Sequence, residues 1–352
     1  MLPLGLLLFG ASGASACSRV VYDSHDAVER KTVGRSMDFV AETNTTIFAF
    51  PAGLKRTGGI DDNPLTWTSK YGSAVTNMYN LIFVDGVNTE GFSGSALYLG
   101  ESDYQDRDAS RPGLSVALWL QYFLDMHSTV NETVAEVCDG AGEKGFQVVP
   151  KGLIPGIGTN VHLALTDRTG DTVVMEFAEK KLKCWHSVEY NVMTNEPSFD
   201  QQLAIKTYWE PVSNSSLPGS SRPPDRFVRL SHYRKYIPTA QDLATAVSYV
   251  AGMIRAVSTP ILPTSLQAIG GEDIWPTYWR VYQDLVDGMF FYESATSPLF
   301  IWFSYKDFDL STGGKAKVLD LTGEPWHQLA GNVTSKFVDV DAELCKKVYT
   351  EC

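Results

Sequence analysis

Ala14-Ser15-Ala16-Cys17-Ser18-Arg19-Val20-Val21-Tyr22 joins the end of a processing signal to the start of a β-strand. Upstream, Leu2 to Phe9 form a short apolar run followed by small residues, the h-region and A-x-A pattern of a secretory leader. The run is far shorter than the roughly 20 residues needed to cross a bilayer. Residues 1–16 are therefore read as a removable signal peptide and residues 17–352 as one mature domain, secreted or periplasmic, with no stable membrane insertion. The cut falls directly before Cys17. A lipoprotein signal also places a cysteine first, but it prefers a large aliphatic residue where this chain has Ala14. Lipidation would block the amine, so the two readings exclude one another.

If Cys17 becomes residue one, its α-amine has a pKa near ~7.7–8 and sits beside its own thiol. A single residue then supplies both nucleophile and general base. Attack on an amide carbonyl gives a thioester, and water deprotonated through the same amine releases the acid. Such a site needs an orienting group and donors for the oxyanion. Folding Val33 to Val40 back on Ser18 to Tyr22 brings Arg35 and Asp38 close to Cys17. Asp38 is then placed to hold the ammonium or thiol, and Arg35 to depress the thiol pKa. The bland alternative is an exposed ion pair on an edge strand.

The remaining composition narrows the classes. The 352 residues are 44% apolar and 20% charged, which excludes a disordered tail. With 29 Lys plus Arg against 41 Asp plus Glu, the net charge of −12 excludes a nucleic-acid binder. Setting Cys17 aside, Cys138, Cys184, Cys345 and Cys352 form an even set with three pairings open, and an odd thiol in an exported protein reads as a free reactive group. N-x-[ST] sequons begin at Asn44, Asn131, Asn214 and Asn332. No H-E-x-x-H, C-x-x-C or G-x-S-x-G occurs, and Gly156-Ile157-Gly158 lacks the third glycine of a dinucleotide loop. No cofactor and no metal are expected.

Alternation and turn residues predict strands over 18–22, 33–40, 46–50, 80–84 and 92–99. The first two flank a polar turn around His25 and Asp26. Residues 114–126 and 130–138 read as helices, and 162–166 with 172–177 as a hairpin around Asp167-Arg168-Thr169-Gly170. A strand follows at 188–193, a surface loop at 213–224, helices at 225–236 and 243–256, and aromatic strands at 279–286, 289–292 and 299–305. Strands and helices in this order make a layered α+β domain.

With these residues in view the chain resembles the choloylglycine hydrolase family of N-terminal-nucleophile hydrolases, which includes bile salt hydrolases and penicillin V acylases. The resemblance rests on Cys17-Ser18-Arg19, Gly34-Arg35-Ser36-Met37-Asp38, Asp85-Gly86-Val87-Asn88-Thr89-Glu90-Gly91, Val192-Met193-Thr194-Asn195-Glu196-Pro197 and Asp225-Arg226-Phe227, in family order. It implies a four-layer αββα sandwich. It also implies that Cys17 is nucleophile and, through its amine, base, with Arg35 and Asp38 tuning and orienting it. Asn195 would donate its side-chain amide to the oxyanion, the Tyr98 backbone N–H would be the second donor, and Arg226 would complete the charge network around the thiol. Read singly, Asn195 is also an ordinary turn residue, Arg226 an exposed charge in a helix's first turn and Tyr98 a packed strand aromatic.

Bile salt hydrolases tend to carry Asn at the Tyr98 position and penicillin V acylases an aromatic, so Phe39 and Tyr98 would line an apolar acyl pocket. Trp67-Thr68-Ser69-Lys70-Tyr71-Gly72 and Phe291-Tyr292-Glu293-Ser294 resemble the exported, periplasmic-type acylases, a branch similar to enzymes that deacylate N-acyl homoserine lactones. That branch typically carries Trp where this chain has Phe39 and Tyr98. The short spacing from Asn195 to Arg226 lacks the tetramer-forming insertion of other branches and leaves homo-oligomerisation open. The expected function is hydrolysis of a small-molecule N-acyl amide. The alternatives are a lipid amidase resembling acid ceramidase or N-acylethanolamine amidase, and a non-catalytic secreted binding protein on the same scaffold.

Overall fold

The computed structural model describes residues 17–24, 29–139, 145–151, 160–213, 215–262, 275–322 and 329–352. Two large sheets carry the fold. One has seven strands in the order Val192–Thr194, Ser18–Asp23, Lys31–Asp38, Thr277–Asp284, Met289–Ser294, Phe300–Ser304 and Gly331–Asn332. The other has nine, in the order Lys181–His186, Thr172–Ala178, Val161–Thr166, Ser93–Tyr98, Ile82–Asn88, Ser73–Met78, Thr45–Phe50, Lys317–Asp320 and Val338–Asp339. The helix Trp119–Met126 packs outside the nine-stranded sheet, against Ile82–Asn88 and Ser93–Tyr98. The helices Pro223–Tyr236 and Leu243–Arg255 cover the seven-stranded sheet, and Phe199–Trp209 packs on Pro223–Tyr236. The result is the expected four-layer αββα sandwich.

Period-two alternation explains the layering. Along Val161–Thr166, Leu163 and Leu165 join the core under Trp119 and Phe123, while Ala164 joins the core between the sheets. Neither face meets water, so inward-pointing polar residues must find partners there. On the seven-stranded sheet, Gly34 leaves room for the Leu243–Arg255 helix, since a Cβ at that position would collide with Val250.

The motif from Asp85 runs out of its strand into a turn closed by Gly91 at φ +76°. Asn88 latches this turn. Its Oδ1 accepts from Glu90 N and Phe92 N, and its Nδ2 donates to the Leu124 and His127 carbonyls.

The structure departs from the sequence expectations in several places. Strand Ser73–Met78 was not anticipated, and Ile82–Asn88 begins after a turn at residues 79–81 and runs four residues beyond the expected end. Residues 114–126 are not one helix: a short strand, Gly113–Ser115, and a 3-10 turn, Val116–Leu118, precede Trp119–Met126. The expected strand at 188–193 is reduced to Val192–Thr194, and Lys181–His186 pairs with Thr172–Ala178 ahead of it. The loop 213–224 ends early because Pro223 opens a helix, where its missing N–H costs nothing. The His25–Asp26 turn, Gly156–Gly158 and Asn214 lie outside the described residues.

Of the three open cysteine pairings, the chain adopts Cys138–Cys184 and Cys345–Cys352, with Cys17 free and buried. Among the described residues no helix is long and apolar enough to cross a membrane.

Candidate active site

Ser18 and Ser36 are register partners in the antiparallel pair Ser18–Asp23 and Lys31–Asp38, so Cys17 lies beside the end of the second strand. That strand is central, flanked on its other side by Thr277–Asp284. Arg35 and Asp38 are fully buried, which removes the exposed edge pair as an alternative. Arg35 Nη2 lies 3.6 Å from Cys17 Sγ and also reaches the Ala96 carbonyl at 3.4 Å. Its guanidinium stacks 4.6 Å from the centroid of the Trp279 ring.

Asp38 meets the thiol differently from expectation. Its main-chain carbonyl, not its carboxylate, accepts from Cys17 Sγ at 3.6 Å. The carboxylate faces Ser36 Oγ at 3.4 Å and the Thr277 hydroxyl. Burial pushes Asp38 up to about 6, against the pull of Arg226, Thr277 and Arg35. Burial likewise pushes the Cys17 thiol up, and outweighs the lowering by Arg35. The expected depression of the thiol pKa is thus present as an influence and is not the net result.

Asn195 sits at the end of Val192–Thr194, the strand next to Ser18–Asp23, where Thr194 pairs with Ser18. Its Oδ1 accepts a hydrogen bond from Cys17 N. The same oxygen accepts from Arg226 Nη2 at 3.1 Å, and Asn195 Nδ2 donates to the Tyr98 carbonyl at 2.8 Å. Leu99 N–H bonds Asn160, so in an extended strand the Tyr98 N–H and C=O point the other way, toward Asn195. Arg226, fully buried on Pro223–Tyr236, donates to the Cys17 carbonyl at 2.6 Å and to Ser18 Oγ at 2.5 Å. It therefore grips the backbone of Cys17 and the side chain of Asn195, and its charge also acts on the thiol, where the resemblance placed it.

Phe39 and Tyr98 are half-buried, and a third ring joins them: Trp275 lies 5.7 Å from Phe39 and 6.0 Å from Tyr98 between centroids. The sequence reading missed Trp275, which stands alone before Pro276 with no periodic pattern around it. Gln202 was missed as well. It is fully buried on Phe199–Trp209 and donates from Nε2 to the carbonyls of Asn195 and Pro197, each at 2.7 Å. Its Oε1 accepts from Thr194 N at 3.2 Å. Glu176 adds a cap, accepting from Phe199 N at 3.0 Å.

Two motifs fall elsewhere. Trp67 donates to Asp125, which also pairs with buried Arg56 at 2.6 Å, so Trp67–Gly72 anchors the Trp119–Met126 helix. In Phe291–Ser294, Glu293 bonds Tyr282, Arg255 and Arg280. Among the described residues no cluster of His, Cys, Asp or Glu has the arrangement of a metal site.

The chain and its sandwich have known counterparts. Residues 17–322 match the family of linear amide C–N hydrolases, the choloylglycine hydrolase family. The penicillin V acylase of Pectobacterium atrosepticum is 37% identical over 350 residues, covering 91% of this chain and 89% of that protein. The structure of penicillin V acylase from Agrobacterium tumefaciens superposes with a TM-score of 0.82 at 35% identity, over 92% of this chain and 98% of its own. A variant of the conjugated bile acid hydrolase of Clostridium perfringens shares the fold at a TM-score of 0.71 and 20% identity, over 87% of this chain and 97% of its own. The chain belongs to the choloylglycine hydrolase family. It is a hydrolase of carbon–nitrogen bonds in linear amides, similar to penicillin V acylases.

Proposed function

We propose that this chain is an exported cysteine amidohydrolase whose mature form begins at Cys17 and which deacylates penicillin V and other N-acyl amides with apolar acyl groups, N-acyl homoserine lactones among them. The observation that carries the reading is convergence on Cys17: Asn195 meets its nitrogen from 178 residues away and Arg226 its carbonyl from 209. In the full-length chain that nitrogen is a peptide N–H. Cleavage before Cys17 makes it an α-amine held by Asn195 Oδ1, and the nearby Arg226 cation disfavours its protonation.

The amine takes the thiol proton as Sγ bonds to the amide carbon. The tetrahedral oxygen is met by the second Nδ2 hydrogen of Asn195 and the Tyr98 N–H. The amine then passes its proton to the leaving nitrogen as the C–N bond breaks, giving a thioester. Water, deprotonated by the amine, attacks the thioester; the C–S bond breaks and the carboxylic acid leaves. Burial keeps the resting thiol protonated, so a base at Cys17 itself is what this mechanism requires. Phe39, Tyr98 and Trp275 offer aromatic walls for an aryl or alkyl acyl chain.

Two disulfides fit an oxidising compartment, and the exposed side chains of Asn44, Asn131 and Asn332 are open to N-glycosylation there. Cys17→Ala should abolish turnover of penicillin V while near-UV circular dichroism stays that of the parent, and intact mass should begin at Cys17. Turnover retained in the variant, or an active protein with the leader attached, would overturn the reading.

A further inference from the structure

The Asp85–Gly91 segment makes none of the contacts around Cys17 described above, yet it places a carboxylate in the layer behind that residue. Arg19 and Arg35 are register partners on adjacent strands and both are fully buried. Both side chains enter the space between the sheets. Arg19 Nε and Nη2 reach Ser95 Oγ at 3.2 Å and Thr166 Oγ1 at 2.9 Å, and Arg35 Nη2 reaches the Ala96 carbonyl. Like charges directly opposite one another on one sheet face repel, and buried charges need a counter-charge.

Asp85 comes from the opposing sheet and is itself fully buried. Its Oδ2 accepts from Ser95 Oγ at 2.5 Å and its Oδ1 from Gln283 Nε2. Gln283, on the same sheet as the two arginines, accepts from Ser93 Oγ at 2.6 Å. Burial pushes the Asp85 carboxyl up to about 6, opposed by Arg35, the Ser95 hydroxyl and Arg19. Among the described residues, Arg19 and Arg35 are the charged groups that act on it.

We propose that Asp85 is a positioning residue for the nucleophile: its carboxylate, joined to Arg19 through the Ser95 hydroxyl, is the counter-charge of the buried Arg19–Arg35 pair and limits how much of the Arg35 charge acts on the Cys17 thiol. The inference deepens the reading of Cys17 as nucleophile and rests on it. An ionised Asp85 opposes the thiolate and partly cancels Arg35, which lies 3.6 Å from Sγ. The thiol itself is faced by Arg35 and Arg226, which favour the thiolate, and by Asp38, which opposes it; without the Asp85 charge the Arg35 contribution is less compensated.

The test is the pH dependence of iodoacetamide alkylation of the purified protein, whose other cysteines are disulfide-bonded. Asp85→Asn keeps an oxygen for Gln283 and a hydrogen-bonding group for Ser95 but removes the charge. It should lower the alkylation midpoint by about one pH unit. Arg19→Met removes a cation from the same layer and should raise the midpoint. Opposite shifts are a signature that general loosening of the fold does not produce. Midpoints that do not move, or that move in the same direction, would overturn the proposal; if Asp85→Asn fails to fold, the sign of the Arg19→Met shift decides. Because alkylation needs no substrate, a failure of the nucleophile reading appears separately, as turnover surviving in Cys17→Ala.

Discussion

Asn195 accepts, through Oδ1, a hydrogen bond from the main-chain nitrogen of Cys17, 178 residues earlier in the chain. Arg226 shares that oxygen and the Tyr98 carbonyl takes one Nδ2 hydrogen, so the orientation of the amide is dictated from three sides. A side-chain amide has two donor hydrogens, and the second is the one the proposed mechanism uses. Asn195→Ala should therefore lower kcat for penicillin V by roughly 10²–10³-fold, with KM changed far less. Initial-rate kinetics check this, and a loss of kcat below tenfold would contradict the oxyanion assignment.

Gln202 ties the segment carrying Asn195 to the Phe199–Trp209 helix. Gln202→Leu strands the Asn195 and Pro197 carbonyls and the Thr194 N–H in a buried setting. Each stranded group costs about 1–3 kcal/mol. Urea unfolding should show a loss of at least about 3 kcal/mol, and kcat should fall more than KM rises. An unchanged midpoint would mean that water enters and replaces the side chain.

Asp38 has a folded-state pKa raised from 3.8 to about 6. The folded chain then binds more protons than the unfolded one between those values. Its favourable contribution is fully present below the unfolded pKa and is lost as pH rises through about 6. Asp38→Asn lacks this titration, so its stability should gain on the parent by about 2 kcal/mol between pH 4 and pH 7. Denaturation curves at both pH values test the sign; a gap that narrows instead would show that the carboxylate is favourably paired when ionised.

The cluster of Phe39, Tyr98 and Trp275 makes a specificity prediction. Trp275→Ala removes the ring that lies near both Phe39 and Tyr98. Aromatic pairs contribute about 0.5–1.5 kcal/mol beyond area burial, a factor of roughly 2–10. The kcat/KM for an aryloxy-acyl substrate such as penicillin V should fall by that factor more than that for a straight-chain acyl homoserine lactone. Equal losses on both substrates would remove Trp275 from acyl recognition.

Cys138–Cys184 closes a loop of 46 residues and Cys345–Cys352 one of 7. On the chain-entropy account the longer loop contributes about 4 kcal/mol and the shorter about 2. Replacing the first pair by alanine should lower the unfolding free energy more than replacing the second, measured in the same denaturant. The reverse order would place the stabilisation in local packing at the C-terminus.

Val161–Thr166 was legible because apolar alternation survives in it, and Ser18–Asp23 because Val20, Val21 and Tyr22 form a short β-branched and aromatic run. Ser73–Met78 hid behind Ser73, Thr76 and Asn77, polar residues that are nonetheless fully buried and that alternation alone assigns to a loop. Lys181–His186 carries Lys181 and Lys183 on a half-exposed edge, and its strand character comes from pairing with Thr172–Ala178. The Phe199–Trp209 helix spreads Phe199, Leu203, Tyr208 and Trp209 around its circumference, so it shows no single apolar stripe to be read.

The chain's own order of residues singled out Cys17 as the candidate nucleophile, since a cysteine directly after an A-x-A pattern is a covalent property of one position. It also determined the layered class, because periodicity is local. Tertiary structure alone decided that Arg226 grips the Cys17 carbonyl while Arg35 lies against the sulfur, that the Asp38 backbone faces sulfur, and that Trp275 and Gln202 join these residues. Those contacts join strands and helices far apart in the chain, and sheet register and helix packing, which no local pattern encodes, set which atoms meet.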